Sequence, residues 1–180
     1  MFHLKIDSFD VIGASPELMI KVQEGEVEIR PIAGTRLRGK NSAEDERNAQ
    51  DLLNDKKELA EHLMLLDLGR NDVGRVSEFD SVEIKEKMNI EMYSHVMHIV
   101  SDVRGKLMKD KSIFDALKSG FPAGTVSGAP KIRAMEIINE LENDSRGVFS
   151  GAIGFIDFNG TLNTCISIRT MILKDGIAYF

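Results

Sequence analysis

Apolar positions recur with a period of two near the start of the chain, as they do in half-buried β-strands. The segment "HLKIDSFDVIGAS" predicts a strand, a turn and a strand, and "LMIKVQEGEVEIRPIAG" predicts a hairpin around a polar turn. Val82–Ile84 is a further, shorter candidate strand. The chain is therefore expected to begin with antiparallel sheet.

A helical period replaces this alternation in the middle of the chain. The segment "SAEDERNAQDLLNDKKELAEHLMLLDL" predicts one long helix with Ser42 as its N-cap, and "MYSHVMHIVSDVRGKLM" predicts a second. "SIFDALKSG" and residues 131–142 predict two shorter helices. In the second helix the apolar residues share one face: Tyr93, Val96, Val100, Val103 and Leu107.

Residues 149–180 return to a strand pattern, with Asn159-Gly160 and Asp175-Gly176 as turn signals. We predict a three-stranded antiparallel meander there. Strands at both ends with helices grouped between them indicate an α+β fold built on antiparallel β-sheets packed with helices. Since the last run, "GIAYF", has no closing turn, we expect residues 1–180 to be a single truncated domain, incomplete at both ends.

Composition narrows the class of protein. Apolar residues make up 42% and charged residues 29% of the 180 positions, which is typical of a soluble globular domain. No apolar run is long enough to span a membrane, and the net charge of −6 disfavours general nucleic-acid binding. The single cysteine, Cys165, cannot form an internal disulfide, which favours a cytoplasmic location.

A glycine-rich stretch, "FPAGTVSGAPK", directly precedes the last predicted helix. Its spacing does not fit a Walker A nucleotide loop, because no hydroxyl residue follows Lys131. Gly124 and Gly128 permit close approach of the backbone to a ligand, and a helix N-terminus attracts anions. The spacing alone leaves two alternatives open: an anion site strengthened by Lys131 and Arg133, or a plain loop.

Several other polar side chains are candidates for chemistry. Glu58, Glu61 and His62 fall on one helical face, where two carboxylates can hold Mg²⁺, although a solvated charged face is the commoner explanation. His98 is either a general acid–base group or a buried structural histidine. Glu17, at a strand edge, is either a proton donor whose pKa burial raises or a solvated glutamate.

Basic residues and a glycine–hydroxyl pair complete the set of candidates. Gly34 and Thr35 place an accessible backbone beside a hydroxyl group. Three arginines are able to bind carboxylates through paired hydrogen bonds, or are simply solvated: Arg36, Arg38 and Arg169.

Taken together and in order, six strings resemble the chorismate-utilising enzymes over essentially all 180 residues. They are "GASPE", "PIAGTRLRG", "KELAEHLMLLDLGRNDVGRV", "YSHVMHIVSDVRGKL", "FPAGTVSGAPKIRAMEIINELE" and "SIRT". Within that family they are most similar to the anthranilate-forming members. The resemblance implies the family's fold, a lyase activity on chorismate, Mg²⁺ as cofactor, and a glutamine amidotransferase partner that supplies ammonia for tryptophan biosynthesis.

The resemblance also implies roles for individual residues. Glu17 corresponds to the acid that protonates the departing C4 hydroxyl, and His98 to the histidine that assists pyruvate elimination. Glu61 corresponds to a direct Mg²⁺ ligand with Glu58 beside it, and Thr125 to a catalytic threonine on the substrate side. The family's substrate-binding positions fall here on Gly34, Thr35, Phe149 and Arg169.

Two positions bear on the choice within the family. Aminodeoxychorismate-forming members carry a nucleophilic lysine at the position of Ala33, so Ala33 favours direct addition of ammonia to give anthranilate and pyruvate. Isochorismate- and salicylate-forming members use water, and their distinguishing lysine lies upstream of this segment. Phe149 departs from the family's usual tyrosine, which removes one hydrogen bond towards substrate.

Two hypotheses from other classes are kept beside this one. The family's second pair of metal-binding glutamates lies beyond the segment, so we expect these 180 residues alone to show negligible turnover, as an inactive metal- or anion-binding fragment. A nucleotide-binding module built on the glycine-rich loop is disfavoured by the spacing described above.

Overall fold

The computed structural model describes residues 1–180 as eleven β-strands and five helices. The strands are β1 (Phe2–Ile6), β2 (Phe9–Gly13), β3 (Leu18–Gln23), β4 (Glu26–Ile29), β5 (Ile32–Leu37), β6 (Glu83–Met92), β7 (Val96–Lys106), β8 (Ala152–Ile156), β9 (Leu162–Ile166), β10 (Thr170–Lys174) and β11 (Ile177–Tyr179). The helices are α1 (Ser42–Asn54), α2 (Lys56–Gly74), α3 (Ile113–Gly120), α4 (Gly124–Ser127) and α5 (Lys131–Leu141).

All strand pairs are antiparallel, and they form two sheets. The smaller sheet has the order β1-β2-β10-β11. The larger follows the order β5-β7-β4-β3-β9-β8, and β6 pairs with the free edge of β7. The predicted α+β class with antiparallel sheets is therefore confirmed, as are the two hairpins predicted at the start of the chain.

Strand β7 is the centre of the larger sheet, and the helix predicted over this stretch is wrong. One edge of β7 pairs first with β5 and then with β4, while β6 covers the other edge. Met97, Ile99 and Val103 are fully buried on one face and Val100 on the other, so the strand is buried on both faces. A strand buried on both faces loses its polar–apolar alternation, and its spacing then also fits a helix.

The long helix predicted from Ser42 is divided in two at Asp55. The backbone of Asp55 is extended (φ −76°, ψ 105°), and its carboxylate accepts hydrogen bonds from the backbone N–H groups of Lys57 and Glu58. Asn41, rather than Ser42, caps α1, since its side chain accepts from the N–H of Glu44. The two shorter predicted helices are confirmed as α3 and α5.

The predicted three-stranded meander at residues 149–180 is instead four strands in two sheets. β8 and β9 belong to the larger sheet, and β10 and β11 belong to the smaller one. The break falls at Arg169, whose φ of 49° is not a strand conformation. Both predicted turns are present, with positive φ at Gly160, Asp175 and Gly176.

The main core lies between the larger sheet and the helices that cover it. It is formed by buried side chains of β3, β4, β7, β9, α2 and α3, among them Ile20, Val27, Leu66 and Val103. A smaller cluster of Leu52, Met97 and Ile99 holds α1 against the sheet. No helix has the length and apolar character needed to cross a membrane.

The chain passes between the two sheets twice, once from β2 to β3 and once from β9 to β10. These two crossings touch each other: the N–H of Ala14 donates to the carbonyl of Arg169 (3.1 Å), and the N–H of Ile166 donates to the carbonyl of Glu17 (3.1 Å). Two residues from opposite ends of the chain, Glu17 and Arg169, are thereby brought to one place.

Candidate active site

A cavity of about 400 Å³ lies where the two crossings meet β5 and β7. Four of the predicted site residues line it: Glu17, Thr35, His98 and Arg169. Each comes from a different segment of the chain, so the fold assembles what the sequence keeps apart. The walls between these polar groups are apolar and include Ile32, Ala33, Val96 and Ile168.

The ring of His98 is held through its Nδ1 atom, which lies 3.0 Å from the carbonyl oxygen of Gly34 and 3.0 Å from Oγ1 of Thr35. A carbonyl oxygen can only accept a hydrogen bond, so Nδ1 carries the proton. In the neutral ring Nε2 is then the basic nitrogen. The Thr35 hydroxyl accepts from the same N–H, which leaves its own proton free for another acceptor.

Gly34 presents its carbonyl to His98 because the backbone departs from regular strand geometry at this point. The pairing of β5 with β7 shifts register between Ala33 and Thr35, and Gly34 has a φ of 75°. A Cβ atom on Gly34 would lie 3.1 Å from Leu52 and 3.3 Å from Oε2 of Glu58. Only glycine fits this position without strain, and the Glu58 carboxylate is its neighbour.

Glu17 is a half-buried acid at the boundary of the cavity, directly before β3. Burial raises the pKa of its carboxyl group above the ordinary glutamate value, and this effect outweighs the opposing influence of the nearby Thr125 side chain and of the positive charge of Arg169. Thr125 lies on α4, within the glycine-rich stretch. Gly124 packs so tightly before it that a Cβ there would lie 2.3 Å from Leu68.

The three candidate arginines have different environments. Arg36 contacts the carboxylates of Asp51 (2.6 Å) and Asp55 (2.9 Å). Nε and Nη2 of Arg38 donate to the Asp45 carboxylate, at 3.0 and 2.6 Å, and this pair lowers the pKa of the Asp45 carboxyl to about 2. These two arginines hold α1 against β5, and their guanidinium groups are already paired with carboxylates of the chain.

Arg169 forms no ion pair within the chain and lines the cavity. Its guanidinium group therefore remains available to a bound carboxylate.

The two cations at the start of α5 do not reach the cavity. Lys131 is buried, with its Nζ atom 2.7 Å from the carboxylate of Asp72, and Arg133 is exposed and paired with Glu136 and Glu140. Neither therefore serves as the anion site that the sequence left open at these two positions.

Glu58 and Glu61 lie one turn apart near the start of α2, Glu58 half-buried and Glu61 exposed. Neither carboxylate forms an ion pair, whereas the acidic residues on α1 and β6 that face arginines do. Such free oxygen donors suit a hard cation such as Mg²⁺. They supply only two ligands, and no cluster of three acidic, histidine or cysteine side chains lies near them.

His62, the third member of that predicted face, points elsewhere. It is fully buried, its Nε2 lies 2.7 Å from Oγ of Ser101, and burial lowers the pKa of the ring. Its role is in the packing of α2 on β7.

The comparisons with known proteins agree with this arrangement. The family described as "chorismate binding enzyme" matches residues 1–180. This chain belongs to the chorismate binding enzyme family. Anthranilate synthase component 1 of Acetivibrio thermocellus is 59% identical over 179 residues, covering 99% of this chain and 36% of the relative. The corresponding Pseudomonas aeruginosa protein is 57% identical over 176 residues, again 98% of this chain and 36% of the relative.

Solved structures of chorismate binding enzymes share the fold. Anthranilate synthase component I from Streptococcus pneumoniae has a TM-score of 0.90 and 48% identity, covering 99% of this chain and 39% of its own. The menaquinone-specific isochorismate synthase of Escherichia coli has a TM-score of 0.83 at 17% identity, covering 96% of this chain and 39% of its own, and is similar in fold alone. The chain spans little more than a third of the length of the curated relatives that it matches.

Phe149 does not line the cavity. It lines a neighbouring groove of about 830 Å³ together with Arg146 and Arg169. Its ring is 53% exposed, with the Arg146 guanidinium 5.6 Å from the ring centroid. Arg169 is the one predicted site residue that lines both the cavity and this groove. The predicted contact of Phe149 with substrate therefore requires a substrate that extends past Arg169 into the groove.

Among the polar side chains that line the cavity, sequence reasoning missed one, Tyr93. The helix predicted over this stretch made it part of an apolar face. In the structure it follows β6, and its ring packs against His98 with 5.5 Å between centroids. A hairpin with its turn at Ser94-His95 pairs Tyr93 with Val96 and so places it on the face that carries His98.

Proposed function

We propose that residues 1–180 form the chorismate-binding catalytic part of an anthranilate synthase component I, which converts chorismate and ammonia into anthranilate and pyruvate. The observation that carries the proposal is the cavity shared by Glu17, Thr35, His98 and Arg169. It occurs in a chain that is 59% identical to a protein of that name. Chorismate is a dicarboxylate with a hydroxyl leaving group. Each of these side chains can either bind one of its polar groups or transfer a proton.

Arg169 is proposed to bind a carboxylate of chorismate. A guanidinium group offers two parallel N–H donors to a carboxylate, and Arg169 has no carboxylate of its own to satisfy. Its position on the crossing from β9 to β10 fixes the substrate relative to Glu17, which lies on the other crossing.

Glu17 is proposed to donate the proton that lets the C4 hydroxyl leave as water. A carboxyl group whose pKa is raised by burial retains its proton to higher pH than an exposed glutamate, which suits a general acid. The Thr125 side chain, which lines a small space together with Glu17, is proposed to orient the carboxyl group during the transfer.

His98 is proposed to take the proton released when pyruvate is eliminated and the ring becomes aromatic. Because Nδ1 donates to Gly34, the basic nitrogen of the neutral ring is Nε2. The Thr35 hydroxyl, which accepts from the same N–H, keeps its own proton available for a substrate oxygen.

Mg²⁺ would be held in part by Glu58 and Glu61, and when bound it supplies positive charge that neutralises substrate carboxylates. Glu58 borders Gly34, so the metal side and the histidine side of the site share one backbone position. We further propose a glutamine amidotransferase partner as the source of ammonia, and a cytoplasmic setting, on the strength of the relatives named component 1.

Ala33 supports ammonia as the nucleophile rather than an amine of the protein. It lines the cavity from β5, at the position where the resemblance placed a lysine in aminodeoxychorismate-forming members. An alanine side chain cannot attack the substrate, so the cavity is left free for a small nucleophile.

The test is a chimera in which residues 1–180 replace the matching 179-residue segment of the Acetivibrio thermocellus relative. With chorismate, ammonium and Mg²⁺ the chimera should release anthranilate. Glu17→Gln should lower kcat by about 10²–10⁴-fold, whereas the exposed control Glu46→Gln should not. A chimera that makes aminodeoxychorismate or isochorismate instead would overturn the proposal.

A further inference from the structure

Tyr93 lies beside His98, and its hydroxyl group is bound to Glu91, a residue that does not line the cavity. The hydroxyl donates to Oε2 of Glu91 at 2.8 Å, and the other carboxylate oxygen of Glu91 forms an ion pair with Arg30. Burial, and then the Glu91 carboxylate, raise the pKa of the Tyr93 phenol. The hydroxyl group is thus already hydrogen-bonded to Glu91, and Tyr93 contacts His98 through its aromatic ring.

The strand pairing places these groups around His98 on one face of the sheet. Within the sheet, His98 lies opposite Thr35 of β5 on one side and opposite Glu91 of β6 on the other. Directly opposed residues project to the same face. His98 therefore has a hydrogen-bonding neighbour on one strand and the Tyr93-bound carboxylate on the other.

Contacts at Nδ1 restrict the imidazole ring only in part, because hydrogen bonds tolerate a range of angles and the ring can still turn somewhat about its Cβ–Cγ bond. The second restraint is the Tyr93 ring, which meets the His98 ring edge-on at an interplanar angle of 65°. Edge-to-face pairs of this kind are favourable at such distances. Together the two restraints set the direction in which Nε2 points.

We infer that Tyr93 is a positioning residue for His98, held in place by the ion pair of Glu91 and Arg30. Arg30 neutralises the charge of Glu91, so the group orients the ring without adding net charge beside it. The inference rests on the proposed function of His98 as the base of the elimination step.

The kinetic test uses the chimera described above and measures kcat and KM for chorismate separately. Tyr93→Leu, which removes the ring, should lower kcat by about tenfold, the upper value for one aromatic pair, with KM changed less than about twofold. Tyr93→Phe keeps the ring but releases it from Glu91, and Glu91→Gln weakens the same bond, so both should lower kcat by a smaller and similar factor. Phe158→Leu, which removes a fully exposed aromatic ring in the turn between β8 and β9, is the matched control with unchanged kcat.

A spectroscopic test on the 180-residue chain follows the His98 ring itself. Its side-chain ¹⁵N signals, assigned by their loss in His98→Gln, should report the Nδ1–H form in the parent chain and a mixture of both tautomers in Tyr93→Leu. If Tyr93→Leu does not fold, Tyr93→Phe decides, since a small kcat loss with tautomer mixing supports the inference.

Unchanged kcat and an unchanged tautomer in folded Tyr93 variants would overturn the positioning role and leave the proposed function intact. A parent chimera without anthranilate synthesis would instead overturn the proposed function, whatever the ¹⁵N signals show.

Discussion

The ammonium group of Lys131 lies 2.7 Å from the carboxylate of Asp72, and only 7% and 5% of the two side chains are exposed. The same ammonium group also approaches the carbonyl oxygens of Ser119 (3.4 Å) and Gly120 (3.3 Å) at the end of α3. The start of α5 is thereby joined to α2 and α3 at once. The glycine-rich stretch that carries Thr125 lies between these anchored points.

Breaking this pair from one side should be costly. Lys131→Met leaves the Asp72 carboxylate buried without a partner, and we expect the free energy of unfolding to fall by about 3–5 kcal/mol. The double variant Lys131→Met/Asp72→Leu removes both charges and should regain most of that loss. Urea unfolding measures all three chains, with the exposed Lys118→Met as control; equal losses in the single and double variants would contradict the prediction.

The loss in free energy of unfolding caused by Lys131→Met should also depend on pH. Burial raises the pKa of Asp72, and losing the lysine removes the main opposing influence. A carboxyl group with a raised folded pKa favours the folded state below its unfolded pKa of about 3.9, and this advantage is lost as pH rises through the folded pKa. The deficit should therefore be smaller at about pH 4 than at pH 7.

Gly34→Ala should damage both stability and activity. A φ of 75° costs a non-glycine residue about 1–2 kcal/mol, and the new Cβ would also press on Leu52 and Ile99. The matched control is Gly25→Ala, which has a φ of 79° but no neighbouring atom within 4 Å. Both variants should lose stability in urea. Only Gly34→Ala should also lose kcat in the chimera, because its carbonyl holds His98.

Arg169→Gln and Arg36→Gln should separate substrate binding from structure. We expect Arg169→Gln to raise KM for chorismate by about 10–100-fold, as loss of hydrogen bonds to a charged group does. Arg36→Gln breaks contacts with Asp51 and Asp55 on the helical side, so KM should stay constant. Initial-rate kinetics in the chimera decide, and equal effects on KM would argue against Arg169 as the substrate arginine.

Glu58→Gln and Glu61→Gln should each raise the Mg²⁺ concentration needed for half-maximal activity, by at least about tenfold. The amide cannot neutralise a cation as the carboxylate does. Titrating the chimera with MgCl₂ at saturating chorismate measures this, and the exposed Glu46→Gln on α1 provides the baseline. A pair of unchanged midpoints would place the metal elsewhere.

Glu17→Gln should stabilise the fold at neutral pH even as it removes activity. Burial raises the pKa of Glu17, so its contribution to stability is complete below the unfolded pKa of about 4.3 and is lost as pH rises through the folded pKa. Glutamine is neutral throughout. Thermal unfolding of both chains from pH 4 to pH 8 should show that the melting temperature of the variant rises relative to that of the parent as pH increases.

The fold class, the early hairpins and the short helices were predictable because local pattern and local geometry agree there. The strand around His98 was not predictable, because β7 is buried on both faces and its apolar spacing fits both the strand period and the helical period. Its β-branched residues were the signal that favoured a strand: Val96, Ile99, Val100 and Val103. The motifs named four of the residues that line the cavity, Glu17, Thr35, His98 and Arg169. The pairing of Lys131 with Asp72 could not be predicted, since it joins segments remote in sequence. The contact of the Tyr93 ring with His98 is local, and it was missed because a helix was predicted over this stretch.

The two crossings that touch each other at Ala14 and Arg169 also set the order in which the molecule can form. Loop-closure entropy opposes contacts between segments so far apart, so they form after the local hairpins and helices. Pulse-labelled hydrogen exchange should therefore protect the β3–β4 hairpin before the amide of Ala14. A chain whose segment around Arg169 has not yet left the ribosome can therefore form its hairpins and helices, but not the cavity that Arg169 helps to line.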